Sequence, residues 1–367
     1  MRVVYDHQIF STQRYGGISR YFFELARGLA DVAADGVRVN INSPFYVNNY
    51  LSSAPSSLGV LGRYLPEFRG AERFCHKANA MLSPVLLKAL RPDVVHETYY
   101  SGRPSGTRSS RTVITVYDMI HELFPRSFTE KDRTAFFKRQ AVNRADHVIC
   151  ISEHTRQDLV RLLNVPVEKT SVVHLGFSLT ASYVENEEVS ERPYLLYVGA
   201  RGGYKNFEAL LRAYASQPWL KDNFDLVAFG GGEFTAYERG IIERLNVVAK
   251  VHQQGGSDQV LAARYKQAAL FVYPSLYEGF GIPPLEAMSY GCPVVCSNTS
   301  SIPEVVGSAA KMFDPDSAES LTAALLEVLQ STGIREELRR QGLARVKEFS
   351  WQRCALETHA IYQRVLS

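Results

Sequence analysis

The stretch 270-LFVYPSLYEGFGIPPLEAM-288 changes its period half-way along. LFVY, followed by Pro and Ser, is a short unbroken apolar run of the kind that forms a strand covered on both faces. LEAM, behind two prolines, reads as a helix beginning near Pro284, because proline is tolerated in a first helical turn. Strand, turn and helix make half of a βαβ unit. Two carboxylates, Glu278 and Glu286, stand on either side of Gly279 and Gly281, and so lie just past the carboxyl end of the strand, where α/β sheets bind ligands.

Working outward, the same rhythm runs through the chain. In the first half RVVY, VRVNI, DVVH, TVITVY and HVICIS read as strands, with helices near 18–33, 70–90, 128–144 and 153–163. After residue 193 come YLLYVG, FDLVAFG, KVHQQ, LFVYP and PVVCS, again separated by helical segments. Alternating strands and helices predict mostly parallel sheets. The polar, acidic 180-TASYVENEEVSERP-193 between the two blocks reads as a linker. The expectation is therefore two doubly wound α/β domains with a ligand in the cleft between them. The closing FSWQRCALETHAIYQRVL is one amphipathic helix, added after the second sheet is complete.

Size and composition agree. The 367 residues exceed one ordinary core, and 46% hydrophobic with 22% charged residues describes a globular chain. It opens directly on a strand-like run, with no signal pattern, and no apolar run approaches the ~18 to 20 residues that cross a bilayer. Cys75, Cys150, Cys292, Cys296 and Cys354 are odd in number. Several sit in apolar runs, so buried thiols in a reducing cytoplasm are expected rather than disulfides or a metal site. Residues 1–180 carry 23 Lys and Arg against 16 Asp and Glu, and residues 181–367 carry 18 against 22. The first half is thus the better candidate for meeting an anionic surface. The scattered cations and small total charge argue against nucleic acid.

Other loops after strands hold further candidates. Behind the first strand Gly16 and Gly17 open a helix, without the G-x-G-x-x-G of a dinucleotide site. A glycine pair there suits either a plain turn or a phosphate approaching a helix N-terminus. In 198-VGARGGYKNF-207, Arg201 and Lys205 leave a strand end among glycines, a pairing suited to a diphosphate. 229-FGGGEF-234 is another glycine turn. For Glu278 and Glu286 the residues allow binding of a polyol phosphate, or a carboxylate pair for glycoside hydrolysis; the helix dipole alone would explain Glu286 but not Glu278.

The run YPSLYEGFGIPPLEAMSYGCPVVCSN, with carboxylates spaced E-x7-E, resembles the signature of the retaining family-4 glycosyltransferases of GT-B fold. YGGISRYFFELARGL, RADHVICISEHT, VVHLGF, YVGARGGYKN and FSWQRCA extend the resemblance over nearly the whole chain. It implies two Rossmann-like domains: an acceptor-side domain at 1–180, on which the terminal helix 350–367 packs back, and a nucleotide-sugar domain at 181–349. It implies that Glu278 contacts the donor sugar hydroxyls and Glu286 the donor ribose. Arg201 and Lys205 would match the diphosphate pair, Gly279, Phe280 and Gly281 the donor-binding loop, and Gly16 and Gly17 a loop facing the phosphate. Many relatives carry a His before the Asp that ends the fourth strand. This chain reads 115-TVYDMIHELFP-125, so Tyr117 takes that place, and His121, with Asp118 as second choice, is the expected cleft residue. In 95-VHETYY-100, His96, Glu97 and Tyr99 either line the acceptor pocket or serve capping and packing.

The implied chemistry needs no cofactor and no metal, and no Asp-x-Asp loop stands in a metal-binding setting. The expected reaction moves a hexose, mannose or a related deoxysugar from a GDP-mannose-like donor to a saccharide or lipid-linked acceptor in surface-polysaccharide assembly. A sugar-nucleotide epimerase or a non-catalytic sugar-nucleotide binder are the alternatives. Residues 60–91 interleave Arg63, Arg69, Arg73, Lys77, Lys88 and Arg91 with apolar residues at helical spacing, which suits either anionic lipid or a sheet-packed surface helix. A cytoplasmic protein is expected, with docking at the cytoplasmic face of the inner membrane left open.

Overall fold

The computed structural model describes residues 1–32, 36–56, 58–178 and 192–367. Two compact units result, one of Met1–Gly176 with Phe349–Ser367 and one of Phe177–Glu348. Except for Arg192 and Pro193, the expected linker lies outside the described residues.

The first unit holds seven strands: β1 Arg2–Tyr5, β2 Arg38–Tyr46, β3 Gly59–Tyr64, β4 Val94–Glu97, β5 Arg111–Val116, β6 His147–Cys150 and β7 Thr170–Val172. All pair in parallel, in the order β3-β2-β1-β4-β5-β6-β7. The second unit holds β8 Tyr194–Val198, β9 Asp225–Phe229, β10 Val251–Gln254, β11 Leu270–Tyr273, β12 Val294–Ser297 and β13 Lys311–Phe313, in the order β10-β9-β8-β11-β12-β13. In each sheet the winding reverses once, between β1 and β4 and between β8 and β11. Both units are α/β and doubly wound, and helices cover their sheets. In the second unit Phe207, Leu210, Leu211 and Tyr214 of the helix Phe207–Ser216 repeat at helical spacing and pack with Leu195, Tyr197, Leu226 and Leu270.

One expected helix start is corrected, and the helix expected near 70–90 is found in place. The helix placed at 128–144 starts only at Thr134, because the Asp132 carboxylate accepts the Thr134 N–H at 2.8 Å and turns the chain just before it. Within 60–91 the first part is strand β3, and the helix runs from Ala71 to Leu90, beginning after Gly70 at φ +95°. All five cysteines are buried and unbridged.

The terminal helix Trp351–Leu366 is capped by Ser350, whose hydroxyl accepts the Arg353 N–H at 3.1 Å, and it packs on the helix Gly17–Val32 of its own unit. Glycine makes the contact possible. A Cβ on Gly28 would lie 2.8 Å from the Ala355 Cβ, and one on Gly176 would lie 2.4 Å from the Trp351 nitrogen. Inside, the Tyr362 hydroxyl meets His96 Nδ1 at 2.6 Å, while Nε2 meets the Thr115 hydroxyl at 2.9 Å. His96 is therefore a packed core residue tying the helix to the sheet, not a pocket residue.

Burial pushes the His96 pKa down to about 3. In the unfolded chain it titrates near its ordinary value, so between those two pH values the unfolded state binds the extra proton. Stability from this group is complete above pH ~6.5 and falls, by up to about 1.4 kcal/mol per pH unit, as pH drops toward the folded value. Neighbouring Glu97, raised to about 7 by burial against the pull of Arg144, acts with the opposite sign in the upper part of that range. The contribution is thus read as wild type minus His96→Asn. The advantage of the wild type over the variant in melting temperature should shrink from pH 7 down to pH 4, the wild type falling more steeply. Parallel curves would remove the assignment.

Candidate active site

The carboxyl ends of β8, β9, β11 and β12 bring four loops to one edge of the second sheet, and β8 and β11 flank its switch point. Lys205, on the loop after β8, donates from Nζ to Glu278 Oε1 at 2.7 Å, on the loop after β11. The Leu276 N–H joins the same two loops by donating to the Tyr204 carbonyl at 2.8 Å. Glu278 is anchored along its backbone. Its N–H donates to the Ser300 hydroxyl at 3.0 Å, and the Ser301 hydroxyl donates to the carbonyls of Glu278 and Phe280, each at 2.8 Å. Ser300 holds φ +55°, a conformation that side chains rarely adopt. Beneath, buried Tyr273 hydrogen-bonds Glu278, and its hydroxyl is pushed well above the usual phenol range by burial and by that carboxylate.

Arg201 is used differently. It is 8% exposed and donates from Nε to Glu238 Oε1 at 2.7 Å, from Nη1 to the Gly230 carbonyl at 2.8 Å and from Nη2 to the carbonyls of Gly232 at 3.0 Å and Glu233 at 2.9 Å. Its guanidinium also lies 4.9 Å from the Phe234 ring. Gly230, Gly231 and Gly232 have φ of +82°, +67° and +72°, and this left-handed run turns their carbonyls onto the guanidinium. In this state Arg201 braces the glycine loop, and the Lys205 ammonium is the more exposed cation of the two. Glu238 went unnoticed in the sequence, although Thr235-x-x-Glu238 forms a capping box that its spacing announces.

Gly281, at φ +117°, leads into the helix Ile282–Ser289, two residues earlier than the expected start. Glu286, in its second turn, accepts from the Tyr265 hydroxyl at 3.1 Å and faces a small recess bordered by Asp258, Leu261 and Tyr290. The two carboxylates of the E-x7-E spacing thus have separate partners: Lys205 and Tyr273 for Glu278, Tyr265 for Glu286.

In the first unit, Gly16 precedes the helix Gly17–Val32, whose Ser19 N–H is accepted by Gln13 Oε1 at 3.2 Å. A Cβ on Gly16 would press on that amide, whereas one on Gly17 would meet open space. After β5, Asp118 Oδ1 accepts the Ile120 N–H at 3.0 Å. His121 stacks on Phe128 at 4.0 Å between ring centres, and its Nε2 lies 3.6 Å from Asp132 Oδ2. Burial, with nearby Lys138, keeps His121 below the ordinary histidine range. Both His121 Nδ1 and Glu122 Oε1 are buried without a hydrogen-bond partner.

Lys138 organises this loop, and sequence reading missed it because it sits in an ordinary polar helix, Thr134–Arg144. It is 1% exposed and donates to the Asp118 carbonyl at 2.7 Å and to Glu122 Oε2 at 2.8 Å. At the switch point of this sheet, Asp6 accepts from the hydroxyls of Thr98 and Ser105, both at 2.5 Å. Glu97 is buried against Arg144, so packing, not a pocket, accounts for it. Among the described residues no three His, Cys, Asp or Glu side chains are grouped as a metal site.

Two family models cover almost all of the chain, Glycosyltransferase Family 4 over residues 15–181 and Glycosyl transferases group 1 over residues 182–345. O-antigen chain mannosyltransferase B of Escherichia coli is 31% identical over 278 residues, 70% of this chain and 71% of that one. The chain belongs to glycosyltransferase family 4. The O-antigen chain mannosyltransferase RfbU of Salmonella typhimurium is 29% identical over 59% of this chain and 60% of its own. Among solved structures, HepE of Anabaena in complex with UDP and glucose superposes with a TM-score of 0.71 at 16% identity, over 99% of this chain and 100% of that one. This family-4 glycosyltransferase has the GT-B fold, with two Rossmann-like domains.

Proposed function

We propose that this family-4 glycosyltransferase moves a hexose, mannose or a related deoxyhexose, from a nucleoside-diphosphate sugar to a saccharide or lipid-linked saccharide during surface-polysaccharide assembly, with retention at the sugar and without a metal. The Lys205–Glu278 pair at the switch point carries the reading. Two opposite charges held 2.7 Å apart on a loop floor match a ligand that presents a diphosphate and a polyol side by side. The names of the similar mannosyltransferases support the sugar and the setting.

On this reading the diphosphate takes over Lys205, which frees Glu278 to accept hydrogen bonds from the sugar hydroxyls. Gly279, Phe280 and Gly281 offer backbone N–H groups, and Glu286 accepts from the ribose diol; for Gly16 and Gly17 a phosphate contact rests on the family resemblance alone. Arg201 holds the glycine loop and adds a fixed positive charge behind the leaving group. The bond between the anomeric carbon and the β-phosphate oxygen breaks, with the growing charge offset by Lys205. The acceptor hydroxyl attacks from the same face, and its proton passes to the departing phosphate oxygen. His121 and Asp118 line the acceptor side. Trapping of a covalent glycosyl-enzyme at Glu278 would refute this route.

A thermal-shift and nucleotide-release screen over GDP-, UDP-, ADP- and dTDP-sugars tests the donor. One nucleotide class should raise the melting temperature, and Glu286→Ala should weaken that donor about 10- to 100-fold, the value of a hydrogen bond to a charged group. Slow release of the diphosphate distinguishes a transferase from a binder. If no sugar nucleotide shifts the melting temperature, the donor reading fails.

A further inference from the structure

The two cations on the loop after β8 have different carboxylate partners, which leave them unequally free. Lys205 pairs with Glu278 and keeps 22% of its side chain exposed. Arg201 keeps 3%, enclosed by Glu238, by the carbonyls of the glycine loop and by the Phe234 ring. Drawing Arg201 out to a ligand would break all of these bonds, so a diphosphate has to meet it where it stands. Nη1 carries two N–H groups; the Gly230 carbonyl accepts one, and no other described residue accepts the second.

Glu238 divides its two oxygens between separate tasks. Oε2 accepts the Thr235 N–H at 2.7 Å and completes the capping box of the helix Ala236–Arg244, whereas Oε1 accepts Arg201 Nε at 2.7 Å. Burial pushes its pKa up, but the bonds from Arg201 and Thr235 outweigh burial and hold the carboxyl below its ordinary range. Glu238 is therefore charged at neutral pH. The cap uses one oxygen, and the glycine carbonyls already hold the guanidinium. What the second oxygen adds is a negative charge against a cation of the diphosphate loop. The signs thus balance in pairs, Lys205 with Glu278 and Arg201 with Glu238. A nucleoside diphosphate opens the first pair by taking over the more exposed lysine, while the second stays closed.

We propose that Glu238 is a positioning residue that fixes Arg201 beneath the glycine loop and offsets part of its charge, so that the site releases the nucleoside diphosphate after transfer. This deepens the reading of a nucleoside-diphosphate sugar donor and rests on it. It concerns departure of the product, the step that limits turnover in many enzymes.

Titration calorimetry of the full chain with GDP, UDP, ADP and dTDP tests the proposal without sugar or acceptor. The diphosphate that wild type binds should bind Glu238→Gln about tenfold more tightly, the scale of one unit charge removed near another at a partly buried site. Glu238→Ala, which removes the charge without leaving an amide, should show the same gain. Glu238→Asp keeps the charge and should stay within about threefold of wild type. Thr235→Ala removes the other half of the capping box, and should lower the melting temperature without changing the affinity. In turnover Glu238→Gln should lower the donor KM and kcat together, with a burst of transfer ahead of slow release. Tighter binding is a readout that loss of structure does not mimic. Equal or weaker binding by both uncharged variants would overturn the proposal, as would Glu238→Asp gaining as much as they do. Wild type that binds none of the four diphosphates would end the donor reading and this one together, whereas wild-type binding with no gain in the variants ends this one alone.

Discussion

Lys205→Met should lower kcat for sugar transfer by about 10²- to 10³-fold, the range seen when one preorganised donor to a developing negative charge is removed. The Michaelis constant for the donor should change much less, because the charge on the leaving diphosphate is greater in the transition state than in the bound donor. The substitution also strands Glu278, which is almost fully buried and anchored through its backbone to Ser300 and Ser301. Some melting temperature is therefore lost, and that loss must be separated from chemistry. Lys205→Met with Glu278→Gln removes both charges and should recover the melting temperature without recovering kcat. Lys205→Arg keeps a cation and should recover part of kcat. A Lys205→Met enzyme that keeps kcat within about threefold would take this lysine out of the reaction.

The second large effect is expected at Lys138. Its ammonium joins Glu122 at 2.8 Å and the Asp118 carbonyl at 2.7 Å while fully enclosed. Lys138→Met leaves Glu122 charged and enclosed without its partner, a loss of about 3 kcal/mol, since breaking a buried pair costs more than the pair contributes. For a unit of this size that corresponds to a melting temperature lower by roughly 6–12 °C. Lys138→Met with Glu122→Met removes both charges and should restore most of it. Transfer should behave otherwise: in the double variant the Asp118–His121 loop has lost its tether, so kcat stays depressed after stability returns. Recovery of both together would make Lys138 purely structural.

These residues show where sequence reading reached and where it stopped. The strands covered on both faces, LFVY at 270–273 and VIC within β6, could be read directly, because a strand with apolar matter above and below must itself be apolar. β3, β7 and β13 were overlooked, and each is an edge strand, half-covered at most positions, so GVLGRY, TSV and KMF carry too weak an apolar signal. The family was legible because the loop after β11 is short and local: carboxylates, glycines and prolines lie within nine residues and need no distant partner to be recognised.

Partnership was not legible. Glu278 meets Lys205 across 73 residues, Arg201 meets Glu238 across 37, and His96 meets Tyr362 across 266. Such pairs form only when parallel strands bring their carboxyl ends to one edge or when the last helix returns to the first sheet. The same dependence separates His121 from His96: one follows a strand and the other stands near a strand's carboxyl end, but only packing shows that His96 is walled in by Tyr362 and Thr115. By itself the sequence determined the two-sheet architecture, the family and the loops that carry charge, since these follow from local periodicity and short-range turn chemistry. The tertiary structure decided which charges are paired, which are braced and which face solvent, because burial and ion pairing are set by what the rest of the chain places within a few ångströms.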